Sequence, residues 1–301
     1  MYLMETAATT LRISLFIHGI GQTGTNWLTK PDGNPGWSSY FLRQGYTIYI
    51  LDQPSHGRSP FLGPPINNYT HVFPLSAEPG GPGSGVQGHP AFDAYFAATV
   101  PSLVANIPQQ TAVRNAGAAL LDHIGAPVIL IGHSQGGTMP WLIADVRPGH
   151  VHAIVALEPA GPPFVEPALN GNVPARAWGM TDIPMTYEPP VVDPAEDLVL
   201  TVTRANSTDE EDCWVQAESP VPRHLVNLKG VRALVVTGKT IPEPRQRTIR
   251  LGRTTEPGAR PRSVGAEWLP RPAVLRAGDL AGLVGSKDLR SQDPTTPQDP
   301  T

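Results

Sequence analysis

The stretch VILIGHSQGGTMPWLIADV, residues 128–146, constrains the fold more than any other part of this sequence. It begins with a short apolar run, reaches a serine flanked at two residues' distance by glycines, and continues in an apolar helical pattern. A strand that turns sharply into a helix fits this order, because glycine tolerates the close backbone contacts that such a turn imposes. The serine, Ser134, is then expected at the end of the strand.

Apolar strand patterns alternate with helical patterns along most of the chain. The predicted strands are LRISLFIHG, YTIYILDQP, PVILIGHS, HVHAIVALEP and VRALVVTG. The predicted helices are GWSSYFLRQG, FDAYFAATVPSLVANI, QQTAVRNAGAALLDHIG and GGTMPWLIADV, with one more near residues 194–204. This alternation predicts an α/β fold with a mostly parallel central sheet and helices on both faces.

Two long irregular insertions and an atypical tail set the predicted domain organisation. The insertions span about residues 53–108 and 160–224, and both follow strand ends, where a cover over a binding site is expected. Residues 1–239 therefore form the predicted catalytic-type domain. Residues 240–301 are rich in Arg, Pro and Gly and lack helical or strand periodicity, so we expect a disordered tail.

The Ser134 motif predicts nucleophilic chemistry. A serine hydroxyl is a poor nucleophile at neutral pH and needs a neighbouring base. In a G-x-S-x-G turn the serine stands above the sheet, and the next backbone N–H, that of Gln135, points to where an oxyanion forms. A glycine-serine turn without a catalytic role is the alternative for this motif taken alone.

A second turn supports the same chemistry. The strand ISLFI ends in HGIG, residues 18–21, and a hydrolase of this type takes its other oxyanion donor from that loop. The N–H of Ile20 is the expected donor, with that of Gly21 as the second choice. An ordinary glycine turn is the alternative.

Together these motifs resemble the α/β-hydrolase superfamily, and more narrowly a subgroup of bacterial and fungal esterases. The matching stretches are FIHGIGQTGTNW, GWSSYFLRQGY, DQPSHGRSP, FDAYFAATVPSL, IGHSQGG, WLIADVRP and IVALEPAGPPF. The resemblance implies a glutamate as the triad acid after the strand that follows the nucleophile helix, which is Glu158. A surface glutamate at a strand end is the alternative. The more usual acid position, after ALVVTG, offers only Glu243.

The resemblance also implies a histidine near the C-terminus as the base, and here the sequence departs from the family. The chain has nine histidines and none after His224. His224 precedes a strand and is expected about 20 Å from the catalytic edge, since strand residues rise about 3.3 Å each. Structural roles are expected for the remaining candidates, which are His18, His56, His71, His89, His133, His150 and His152.

Both ends of the chain depart from the family as well. From about residue 240 the Arg-Pro-Gly-Ala composition is typical of GC-rich DNA read in a wrong frame or through an intron, with a genuine disordered tail as the alternative. At the other end, MYLME is expected to be the remnant of a longer amino-terminal β segment.

The charge and residue composition of the chain limit the kinds of molecule that it is expected to bind. The net charge of −4 offers no electrostatic basis for binding nucleic acid or an anionic membrane. The single cysteine, Cys213, excludes an internal disulfide, and no apolar run reaches the length of a membrane span. The N-terminal residues lack a signal peptide, so the chain as written is expected in the cytoplasm, although the family includes secreted proteins. No metal or organic cofactor is implied.

The function predicted from these motifs is hydrolysis of a small-molecule carboxylic ester through an acyl-enzyme. Ser134 is the predicted nucleophile and Glu158 the predicted acid, while Ile20 and Gln135 form the oxyanion hole. The substrate pocket is assigned to His18, Gly19, Gly21 and Trp178. The aromatic and methionine residues of the second insertion fit either an acyl pocket or the ordinary core of a cover.

The missing base leaves a second class of function open. The alternative is a non-catalytic hydrolase-like binding protein, or a product of a shifted or wrongly assigned reading frame. A lyase or dehalogenase is disfavoured, because those chemistries usually replace the serine of the turn or need other residues.

Overall fold

The computed structural model describes residues 12–60, 66–67, 88–103, 105–166, 173–204 and 212–236. Its strands are β1 (Ile13–Ile17), β2 (Thr47–Leu51), β3 (Ile66–Asn67), β4 (Ser102–Leu103), β5 (Val128–His133), β6 (Val151–Leu157), β7 (Val165–Glu166), β8 (Val173–Pro174), β9 (Tyr187–Glu188), β10 (Leu200–Thr203), β11 (Cys213–Gln216), β12 (His224–Leu225) and β13 (Arg232–Val236). Its α-helices are α1 (Trp37–Arg43), α2 (Pro90–Ala97), α3 (Asn106–Ile124), α4 (Met139–Val146) and α5 (Pro194–Asp197). Short 3-10 turns lie at Gly24–Trp27, Ser134–Gly137, Pro148–His150 and Val226–Leu228.

A five-stranded parallel sheet in the order β13-β6-β5-β1-β2 forms the centre of the fold. Its strands are those predicted from the apolar runs. Side chains alternate between the two faces, as the pleat requires. In β1, for example, Leu15 packs toward α3 and α4, whereas Phe16 packs toward α1. Helices therefore cover both faces, which confirms the predicted architecture.

Two predicted helices differ from the structure. Residues 92–107 do not form one helix, because α2 ends at Ala97, β4 follows, and α3 begins at Asn106. Pro101 cannot donate to the preceding turn, which accounts for the break. Residues 194–204 divide into α5 and β10, where Leu200–Thr203 pairs antiparallel with Cys213–Gln216. The β-branched LTVT run favours a strand once this partner is present.

The second insertion is attached to the last turn of α4. Asp145, near the end of α4, accepts hydrogen bonds from the Thr186 N–H at 2.9 Å and from its hydroxyl at 3.0 Å. The Asn227 side chain donates to the Asp145 carbonyl at 2.8 Å. Burial raises the pKa of Asp145. The predicted tail, residues 240–301, lies outside the described residues, as do the parts of the two insertions between the described ranges. None of the helices that the structure describes has both the length and the apolar content needed to cross a membrane.

Helices α3 and α4 pack closely at Gly117. A Cβ at this position would lie 2.4 Å from Cδ1 and 2.7 Å from Cγ1 of Ile143, a side chain with no exposed surface. The absence of a side chain at position 117 therefore sets the spacing of the two helices.

Gly117→Ala is expected to lower the free energy of unfolding by about 1–3 kcal/mol, because overpacking outweighs the better helix propensity of alanine. Adding Ile143→Val removes Cδ1 and should recover part of this loss, whereas Ile143→Val alone should cost about 1 kcal/mol. Urea unfolding of the double-mutant cycle measures the coupling. A Gly117→Ala protein more stable than wild type would contradict this packing.

Candidate active site

Ser134 and Glu158 follow neighbouring strands at the same edge of the sheet. His133 of β5 is paired in register with Leu157 of β6, so each of the two candidates is the next residue beyond that pair. Neighbouring strands lie about 4.8 Å apart. Leu157 is in turn paired with Val236 at the end of β13. The sheet thus brings the predicted nucleophile and the predicted acid to adjacent positions.

Ser134 occupies the sharp strand-to-helix turn that the sequence predicts. Its φ of 56° lies in the left-handed region, between β5 and the helical residues that lead into α4. A non-glycine residue held there costs on the order of 1–3 kcal/mol, so the surrounding packing must enforce it. The side chain is half-buried.

The two glycines of the motif are required by close backbone contacts. A Cβ at Gly132 would lie 2.0 Å from the Gly136 carbonyl oxygen, and a Cβ at Gly136 would lie 2.2 Å from the His18 carbonyl oxygen. The turn after β5 therefore packs directly on the backbone at the end of β1. No larger residue fits at either position unless these segments separate.

Gly136→Ala is expected to lower the free energy of unfolding by about 3 kcal/mol, since the added methyl group meets backbone rather than a movable side chain. Gly149→Ala is the matched control, because a Cβ at Gly149 has no neighbour within 4 Å. It should change stability by less than about 0.5 kcal/mol. Urea unfolding compares the two proteins, and equal stabilities would argue against the close contact.

Glu158 also lies in a turn with positive φ, 41°, and its segment is bonded to both neighbouring strand ends. The Glu158 N–H donates to the Val236 carbonyl at 2.7 Å, and the Ala160 N–H donates to the Ser134 carbonyl at 3.0 Å. The loop is further held by Arg176, whose guanidinium donates to the Pro162 carbonyl at 2.9 Å and contacts Glu166 at 2.9 Å. The backbone around the acid is thereby anchored to the serine turn.

The turn of residues 18–21 lies against the serine. A Cβ at Gly19 would lie 3.1 Å from Cβ of Ser134, and Gly21 has a φ of 67°. The Gly21 carbonyl accepts from the Val100 N–H at 2.8 Å, which attaches the first insertion to this turn. Ile20 is half-buried and Gln135 is buried. Gly19, which precedes Ile20, thus brings this turn against Ser134.

His18, which the sequence assigned to the substrate pocket, is buried next to this turn. Only 1% of its surface is exposed. Its Nδ1 donates to the Gly19 carbonyl at 2.8 Å, and its Nε2 accepts from the Gln53 N–H at 3.0 Å. Burial lowers the pKa of His18 from 6.5 to about 4. The imidazole is therefore neutral at physiological pH, with both nitrogens bonded.

Folding stability should fall at acid pH because of His18. The unfolded chain binds a proton on this side chain below about pH 6.5, whereas the folded chain does so only near pH 4. Between these values the unfolded state holds more protons, so the contribution of the neutral, buried imidazole is lost as the pH decreases. Between pH 7 and 4.5 the loss due to His18 is about 2 kcal/mol.

Urea unfolding at the two pH values measures this contribution. His18→Asn should abolish the part of the pH dependence that His18 supplies, and His123→Gln, at an exposed position near the end of α3, should retain it. Equal pH dependence in all three proteins would show that His18 is not buried as a neutral group.

Three of the other histidines in the described residues are bonded to groups other than Ser134 and Glu158. His56 is buried after β2, where its Nδ1 donates to the Pro54 carbonyl at 3.2 Å, and its ring centroid lies 5.2 Å from that of His18. His150 bonds the Leu121 carbonyl and His152 contacts Arg232, both at the opposite edge of the sheet. The remaining described ones are His133, which is exposed beside the serine, His89, just before α2, His123 in α3 and the exposed His224 in β12. His71 lies outside the described residues.

The aromatic and methionine residues of the second insertion mainly form core. Met185 and Tyr187 are buried in the cluster beneath α4, and Trp178 and Met180 pack against it. The Tyr187 hydroxyl donates to the Trp178 carbonyl at 2.8 Å. A narrow cavity behind the acid loop is lined by Thr138, Trp141, Pro159, Ala160, Gly161, Pro163, Arg176, Met180 and Val235. Trp178, which the sequence assigned to the pocket, does not line that cavity.

Sequence reasoning did not identify the polar residues that follow β2. Asp52 accepts from the Gly24 N–H at 2.8 Å and pairs with Arg58 at 2.7 Å. Burial acts to raise the pKa of Asp52, but the bonds from Arg58 and Gly24 together outweigh it and hold that pKa far below its usual range. Gln53 has no exposed surface, and its amide donates to the His18 carbonyl at 2.6 Å. A polar pair directly after an apolar strand was the available signal.

Comparison with known proteins identifies the family. A family model described as alpha/beta hydrolase fold matches residues 15–182. The chain belongs to the alpha/beta hydrolase fold family. The serine turn, the glycine turn before it and the strands β2, β5 and β6 all lie within the matched residues.

Individual relatives are similar to this chain over parts of their length. A protein named probable secreted lipase phiG, from a fungal species, is 43% identical over 240 residues, which cover 74% of this chain and 64% of phiG. Lipase LipV of Mycobacterium tuberculosis is 36% identical over 121 residues, covering 38% of this chain and 40% of LipV. The chain thus spans less than two thirds of either relative. The atomic-resolution structure of a bacterial esterase aligns at 25% identity with a TM-score of 0.37, over 51% of this chain and 55% of the esterase.

Proposed function

We propose that this chain is a carboxylic-ester hydrolase of the serine type, with Ser134 as the nucleophile and Glu158 as the acid, and that it lacks an efficient base. The observation that carries the proposal is the register of β5 and β6. His133 is paired with Leu157 on these parallel neighbours, and Ser134 and Glu158 are the residues that directly follow this pair. The names of phiG and LipV, both lipases, support a small-molecule ester as the substrate class.

In the proposed reaction the Ser134 oxygen attacks the ester carbonyl carbon. The hydroxyl proton must leave as the new C–O bond forms, and the carbonyl oxygen becomes an oxyanion that the N–H groups of Ile20 and Gln135 stabilise. Collapse of this intermediate expels the alcohol, which takes up a proton, and leaves an acyl group on the serine. Water then attacks the acyl carbon, releases the carboxylic acid and returns the proton to Ser134.

Each of these steps needs a proton acceptor that Glu158 alone does not supply. In a triad the acid orients an imidazole, and the imidazole takes the proton. The sequence has no histidine after His224, where the resemblance expects the base, and the imidazoles of His18, His56 and His150 are bonded to other groups. Removing the base of such a triad reduces turnover roughly 10⁶-fold. The proposed enzyme is therefore severely impaired.

We expect the purified 301-residue chain to hydrolyse p-nitrophenyl butyrate barely faster than buffer, with little further loss in Ser134→Ala. Intact-protein mass spectrometry with peptide mapping should nevertheless show a butyryl group accumulating slowly on Ser134. It accumulates because attack by water on the acyl-enzyme is as poorly assisted as its formation.

Ser134→Cys sharpens this test. A thiol is partly ionised near neutral pH without a base, so this variant should be acylated much faster than wild type, at a rate that rises with pH. The acyl group must map to residue 134 and not to Cys213, which all variants share. Absence of acylation at position 134 in both proteins would favour the non-catalytic binding protein.

Ordinary esterase turnover that Ser134→Ala abolishes would refute the proposed impairment and leave the hydrolase standing. A histidine would then act as the base in solution. His56→Gln and His71→Gln would be the first variants to test, since both positions follow β2 along the sequence, in the predicted first insertion.

A further inference from the structure

Three carbonyl groups of the turn at residues 18–21, two before Ile20 and one after it, each accept a hydrogen bond. The His18 carbonyl accepts from the side-chain amide of Gln53 at 2.6 Å. The Gly19 carbonyl accepts from Nδ1 of His18 at 2.8 Å, and the Gly21 carbonyl accepts from the N–H of Val100 at 2.8 Å. These bonds determine which way the peptide planes of the turn face.

The bond from His18 to the Gly19 carbonyl has a direct consequence for Ile20. The peptide unit that joins Gly19 to Ile20 is planar, and in a trans peptide its C=O and N–H point in opposite directions. When the carbonyl is held toward the His18 ring, the Ile20 N–H must face away from that ring. Gly19 lies against Ser134, since a Cβ added to the glycine would be only 3.1 Å from the serine Cβ, so this plane borders the reacting group.

Gln53 determines which ring nitrogen of His18 carries the hydrogen. The Gln53 backbone N–H donates to Nε2, so Nε2 must be the unprotonated nitrogen and Nδ1 must bear the proton. The Gln53 side chain is itself held by Gln109, whose amide donates to it at 3.1 Å. All three side chains have 1% or less of their surface exposed. The donor on Nδ1 is thus set by a buried network and does not depend on solvent.

We propose that His18 is a positioning residue that sets the direction of the Ile20 N–H through the Gly19 carbonyl, and that Gln53 selects the tautomer that makes this possible. The proposal rests on the proposed function, in which that N–H stabilises the oxyanion. It assigns to His18 a role in catalysis without contact with the substrate. Simple filling of the space below the turn is the competing explanation.

Two substitutions separate these explanations, because each retains one of the two ring nitrogens. The side-chain amide nitrogen of asparagine can occupy the place of Nδ1 and donate to the Gly19 carbonyl. In glutamine the amide group reaches the place of Nε2 instead, so the donor to Gly19 is lost. Space filling predicts that the larger glutamine is at least as good as asparagine, whereas positioning predicts the reverse.

The first readout is the rate at which p-nitrophenyl butyrate acylates position 134. It is measured in the full-length Ser134→Cys protein, because its thiol is acylated faster than the serine. His18→Gln should lower the maximal rate roughly 10²-fold, the typical effect of losing one oxyanion donor, with the ester concentration at half-maximal rate unchanged. His18→Asn should restore most of that rate. His123→Gln, on the exposed side of α3, should have no effect.

The second readout is independent of activity. Crystal structures of the His18→Asn and His18→Gln proteins should show the Gly19–Ile20 peptide plane retained in the first and turned in the second. An unturned plane in His18→Gln, or equal acylation rates for the two variants, would overturn the positioning role. If position 134 is acylated neither in the wild-type protein nor in the Ser134→Cys protein with His18 intact, the proposed hydrolase function fails. The crystal structures then still decide whether His18 orients the Gly19–Ile20 peptide plane.

Discussion

The contact between the backbone after β5 and the backbone at the end of β1 is the constraint on which the rest of the site depends. Gly136 lies so close to the His18 carbonyl that a Cβ would be 2.2 Å from it. This contact brings together the turn that holds Ser134 at positive φ and the turn of residues 18–21. Neighbouring parallel strands make the contact possible, because their carboxyl ends meet at one edge of the sheet.

Much of the fold follows from local sequence patterns. Each of the five central strands is a short apolar run, and the three inner strands β1, β5 and β6 are almost entirely buried, as strands covered on both faces are. The serine turn could also be predicted from the sequence. The glycines at positions 132 and 136 are needed because the turn leaves no space for a side chain there, and this requirement is visible as the local G-x-S-x-G pattern. Residues 200–203 were assigned to a helix because their strand partner, residues 213–216, is not adjacent in the chain.

The polar support of the site could not be predicted in the same way. Gln53 bonds to His18, 35 residues before it, and to Gln109, 56 residues after it. Nothing in the local pattern around Gln53 indicates either partner, since glutamine after a strand is typical of any exposed loop. The same limit applies to His18, which stands at the correct edge of the sheet yet is buried and bonded through both nitrogens. Burial and partners decide its role, and both are properties of the assembled sheet.

The bond from the Glu158 N–H to the Val236 carbonyl has a consequence for the order in which the chain is made. During synthesis the serine turn and the glycine turn can pack together once β5 has left the ribosome. The bond from Glu158 to Val236 can form only after residue 236, 78 positions later, has also left the ribosome. Both ends of the segment between them must be outside the ribosome before they can meet. A nascent chain that stops before β13 therefore holds a serine in place while its acid is still tethered on one side only.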